Sequence, residues 1–303
     1  MDEGATPPGF PLLTRALPWP VWLLLTGAIV QLGVQIAPDS YQVFGPYFLV
    51  SGEMVIGWIR SMSPFLLAAV VMLAADRWPA GHRPLLIGAA AMAAVGLLQV
   101  ALDIWWAIWE TNPGLIPDDT QPWLSGAFLG VGVAMVAAHA LLAAGLWAAR
   151  APRRVGRMSV VLVVLIGLGG LVATGAGMWV VGLVFRYTGS VDYLWVSVAG
   201  AALTAAGFAA LAAVAMAAVR TAQRPDRIPE ILIAIGATVT MVATAWTWGF
   251  PHFAPIQAWS DGTSVWVFTI PNAAATLGML AMIAGFGAAA IAVRKSPTGA
   301  PTA

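Results

Sequence analysis

Apolar residues fall in eight long runs along this chain, at roughly 19–37, 50–75, 84–109, 123–149, 158–185, 193–219, 229–249 and 265–293. Each is close to or above the ~20 residues that an α-helix needs to cross the hydrocarbon of a bilayer. The pattern predicts an all-α polytopic membrane protein with eight transmembrane helices. Arginines punctuate it: Arg77, Arg150, Arg220 and Arg294 each follow an apolar run, at spacings of 73, 70 and 74 residues. Trp123, Trp195 and Trp266, 72 and 71 residues apart, each stand at or just inside the start of the run that ends at the next arginine. Two out-of-phase beats of one period predict four membrane hairpins laid end to end.

The local contexts repeat as well. Trp123-Leu124-Ser125-Gly126 and Trp195-Val196-Ser197 match Leu49-Val50-Ser51-Gly52 one period earlier. The expected organisation is a tail over 1–18, a four-helix half over 19–157, a pseudo-repeated four-helix half over 158–295 and a tail over 296–303. An even number of spans, duplicated, gives parallel repeats. The stretch before the first span is polar and Pro-rich, and no small-residue cleavage site follows that span, so it is expected to be a retained helix.

Composition agrees with the pattern: 60% of residues are hydrophobic, and only 9% are charged against about a quarter in soluble domains. Twelve of the fourteen cations fall on one side of the expected spans: Arg15, Arg77, Arg83, Arg150, Arg153, Arg154, Arg157, Arg220, Arg224, Arg227, Arg294 and Lys295. Cations near span ends stay in the cytoplasm, so both termini are expected there. The opposite loops carry Asp39, Glu53, Glu110, Asp118, Asp119, Asp192 and Asp261, with Arg186 as the clear cation among them. One lysine against thirteen arginines, in an Ala- and Gly-rich chain, suggests a GC-rich bacterial gene and hence the bacterial plasma (inner) membrane. A net charge of +1 gives no case for nucleic acid, and the absence of cysteine excludes disulfides and thiol chemistry.

Small residues at Gly126-x-x-x-Gly130, Gly200-x-x-x-Thr204 and Gly167, Gly169 and Gly170 would let helices approach closely. Charged groups inside spans cost about 2.5–3.5 kcal/mol at the centre, so they direct attention to function or pairing. Arg60 lies seven residues after Glu53, and Asp103 seven before Glu110, which places both at similar depth below the acidic surface. Gln99, Asp103, Trp106 and Glu110 share one helical face; Glu53, Ile56, Arg60 and Pro64 share another. An Arg60–Asp103 ion pair is the expected result. Gln31 and Gln35 on span one, Thr244 on span seven, and Asn272 and Thr276 beside a break at Pro271 on span eight send further polar groups to the same half, where an outward-opening polar cavity is expected.

Tryptophans gather at that side, among them Trp106, Trp109, Trp248 and Trp259. They would form an interfacial girdle or, more sharply, an outer docking face for a membrane-protein partner or an apolar ligand. His139 lies near the midplane with no second histidine at its depth, so it is read as an interhelical hydrogen-bonding residue and no haem, metal or other cofactor is expected. No span carries a lysine for a Schiff base, and no metalloprotease, phosphate-loop or serine-hydrolase motif is present. The leading expectation is a non-catalytic accessory, assembly or sensory subunit of a membrane system. A small-solute permease is the alternative, and an enzyme acting on lipid or quinone a third.

Overall fold

The structure is a computed structural model and describes residues 17–43, 52–111, 121–150, 205–219, 227–253 and 269–295. Among them no strand occurs, and seven helices follow in order: α1 (Trp19–Val43), α2 (Gly52–Ala74), α3 (His82–Thr111), α4 (Gln121–Arg150), α5 (Ala205–Val219), α6 (Ile228–Phe253) and α7 (Ile270–Lys295). Stretches within or spanning α1, α2, α3 and α7 are long and apolar enough to cross a membrane: Trp19–Ile36, Val55–Arg77, Pro79–Trp105 and Ile270–Ala292. The apolar stretches Ala134–Ala149, Ala205–Val219 and Ile228–Thr244 are shorter. The expected fifth span, and the sixth before Ala205, lie outside the described residues, as do the tails at 1–16 and 296–303.

Around an apolar core, this bundle carries large apolar side chains on its exterior and several polar ones inside. Buried positions include Gln31, Ser63, His139, Glu230, Thr240, Thr244 and Thr276, whereas Leu23, Ile29, Leu97, Val242 and Leu277 are more than half exposed. An apolar exterior spread over successive helices is unfavourable in water and favourable in hydrocarbon, which supports immersion in a bilayer. Polar side chains turn inward for the same reason, since lipid offers them no hydrogen bonds.

The core runs through α1 to α7, with Leu67, Leu85, Met92, Leu142, Leu211, Ile233, Met282 and Phe286 fully buried among many alanines. α2 is central: it packs on α1, α3 and α7, while α6 lies along α7 and α4 along α3. Backbones come closest where glycines face one another. A Cβ on Gly236 or Gly278 would overlap the other helix's backbone, and Thr240 Oγ1 donates to the Gly236 carbonyl at 2.8 Å and reaches the Ala275 carbonyl across the crossing at 3.3 Å. Of the small-residue motifs expected to do this, a Cβ on Gly130 would meet nothing within 4 Å among the described residues, and those at 167–170 and 200–204 lie outside them. Spacing alone does not say which side of a helix meets a neighbour.

α2 and α3 are joined by two 3₁₀ turns, Ala75–Arg77 and Pro79–Gly81, with Trp78 between them. Trp78 does not join an interfacial belt: it is buried, edge-on to Phe286 at 6.0 Å and 83°, with the Arg77 guanidinium 5.9 Å over its ring. Gly81 lies against the backbone of Gly145, which locks the turn to α4. Beside it, His82 Nε2 and Asp76 are 3.3 Å apart on the surface.

Candidate functional site

Pro64 sits inside α2 and has no N–H for the carbonyl of Arg60, four residues earlier. Ser63 replaces that donor, its Oγ donating to the Arg60 carbonyl at 2.6 Å. The backbone that carries Arg60 is thereby satisfied within the helix. The Arg60 side chain is exposed on α2 and reaches α7, where Nη1 donates to Asn272 Oδ1 at 2.7 Å. Asn272 is anchored in turn, its own carbonyl accepting from Thr276 Oγ1 at 2.9 Å.

Asp103 meets α1 instead. Its Oδ2 accepts from the side-chain amide nitrogens of Gln31 and of Gln35, the latter at 2.7 Å, and its Oδ1 accepts from Gln99 Nε2 at 3.0 Å. The helical period explains the convergence: Gln31 and Gln35 are one turn apart on α1, Gln99 and Asp103 one turn apart on α3, and these helices touch. A carboxylate only accepts, so each amide must offer its nitrogen. Gln31 is buried, and its own amide oxygen has no hydrogen-bond partner among the described residues.

No direct Arg60–Asp103 ion pair occurs among the described residues. Arg60 is taken by Asn272 on α7 and Asp103 by three glutamines, so each charge is held by neutral amides on a different helix pair. Matching depth on neighbouring helices left open which way each side chain turns, and the amides on α1 and α7 compete for both. Gln31, Gln35, Gln99 and Asp103 do come together, as do Arg60, Asn272 and Thr276. Thr244 is buried on α6. The side chains of Glu53, Trp106, Trp109, Glu110 and Trp248, and residue Trp259, lie outside the described residues. Pro271 is the second residue of α7, directly after π-helical Thr269; the residues before Thr269, where a break in the expected span would show, lie outside the described residues.

His139 is fully buried, but its hydrogen bond is not interhelical. Nδ1 donates to the Met135 carbonyl one turn earlier at 2.8 Å, Nε2 has no partner among the described residues, and the ring packs on Phe208 of α5 with centroids 4.1 Å apart. Gly207 provides the room, its backbone lying against Val136 and His139. Among the described residues no three His, Cys, Asp or Glu side chains gather closely enough to hold a metal ion. Two features escape sequence reasoning. Glu230 is buried in the first turn of α6, and the Arg60–Asn272 link joins residues 212 positions apart.

The fold and site thus define an all-helical protein with candidate membrane spans and a polar cluster inside the bundle. No protein-family model, curated protein or solved structure matches this chain.

Proposed function

We propose that this chain is a multi-pass protein of the bacterial inner membrane, with eight spans in four hairpins, and that it acts as a non-catalytic accessory, assembly or sensory component of a membrane system. The observation that carries this is the inward polar cluster under an apolar exterior. Asp103 with Gln31, Gln35 and Gln99 ties α1 to α3, and separately the more exposed Arg60 with Asn272 ties α2 to α7. Such a network fixes helices in register, as a scaffold requires. The tryptophans beyond it, Trp106, Trp109, Trp248 and Trp259, supply the outer docking face, bordered by Glu110, Asp118 and Asp261.

The test is purification in mild detergent with and without Trp106→Ala and Trp248→Ala. A stoichiometric membrane-protein partner or apolar ligand that is lost in the double variant, while the bundle stays folded, supports docking. Unchanged association in the double variant leaves those residues as a lipid-facing girdle and defeats the proposal.

One observation favours the alternative, a small-solute permease. Asp103 carries its charge inside the bundle on neutral partners only, and intramembrane carboxylates commonly mark solute or ion pathways. Flux of labelled solutes into proteoliposomes, abolished by Asp103→Asn, would put that reading first.

A further inference from the structure

We propose that Gln31, Gln35, Gln99 and Asp103 form a binding site for one alkali-metal cation, entered from the acidic side of the bundle. The site stands independently of the docking role, since a sensory component would read the ion and a permease would move it. The first ground is charge. Asp103 brings a single negative charge between α1 and α3, and its partners are all neutral amides, so one monovalent cation balances it.

The second ground is the orphaned oxygen. Gln31 is 0% exposed and its Oε1 has no partner among the described residues, an unfavourable state for a buried polar group. That oxygen belongs to the amide whose nitrogen bonds Asp103, so it lies within one amide width of the carboxylate. A cation touching both groups would satisfy it.

The third ground is what a glutamine amide can do. Its terminal torsion is broad and roughly two-fold, so a half-turn exchanges nitrogen for oxygen. Without a cation, the nitrogens face the carboxylate. With one, Gln31 keeps its nitrogen on Asp103 and sets its free oxygen on the cation, while the oxygens of Gln35 and Gln99 can turn inward and join the two of Asp103, giving up to five oxygen ligands of the kind that hard cations take. The sequence near that end of α1, α2 and α3 is acidic, with Asp39, Glu53, Glu110, Asp118 and Asp119, and an acidic surface attracts cations.

The test uses the purified full chain in mild detergent, with thermal unfolding followed in lithium, sodium, potassium and choline chloride at matched ionic strength. One alkali cation should raise the unfolding temperature above choline in a saturable manner, as ligand linkage requires. Gln31→Leu should weaken the apparent affinity for that cation by tenfold or more, and Asp103→Asn should abolish the response. Identical unfolding curves for the unsubstituted protein in all four salts would overturn the site and indicate a bound water or no ligand. So would a cation response that survives both substitutions. If Asp103→Asn does not fold, the salt series on the unsubstituted protein and on Gln31→Leu decides between these outcomes.

Discussion

At the residue scale, the two intramembrane charges are solved separately. A double-mutant cycle between Arg60→Ala and Asn272→Ala should give a coupling of about 0.5–1 kcal/mol, the range of hydrogen bonds inside membrane proteins, measured by unfolding in detergent. The same cycle between Arg60→Ala and Asp103→Ala should give a coupling near zero, because the two side chains share no partner. Coupling of the opposite order would restore the ion pair. Asp103→Leu should cost about 1.5–3 kcal/mol, since three amide donors would lose a charged acceptor together. Asp76→Asn, at an exposed surface position, should stay within about 0.5 kcal/mol. Sequence spacing placed Gln31 with Gln35, and Gln99 with Asp103, on common faces. It could not rank an amide on α1 against a guanidinium on α2 as the partner of Asp103, because that choice depends on helix rotation, which periodicity leaves free.

At the element scale, stability rests on close backbone crossings between apolar helices. Gly236→Leu should lower stability by about 1–3 kcal/mol through overpacking against the backbone of α7, whereas Gly33→Ala, with open space around it, should be neutral or better. Thermal unfolding of the two variants in one detergent compares them directly, and equal effects would show that the α6–α7 crossing is not close. The helices themselves were legible in the apolar runs: α2 and α3 match the second and third runs to within a few residues. The crossings were less legible. A glycine signals permission for close approach, not the approach itself: Gly81 and Gly145 use it at a turn, while a Cβ on Gly130 would meet none of the described residues.

At the scale of the whole molecule, the account rests on a chain that threads a membrane repeatedly with its arginine-rich ends on one side. Polar residues buried under an apolar exterior support immersion, and four helices have the length and composition to span. The number of spans and their orientation rest on the arginine and tryptophan beats, which are properties of the sequence. The most direct measurement is a series of paired reporter fusions, active on only one side of the inner membrane, after Arg83, Asp119, Arg154, Asp192, Arg224 and Asp261. The account predicts strict alternation, with every arginine site cytoplasmic and every aspartate site outside. Fusions after Arg83 and Asp119 that report the same side would contradict it.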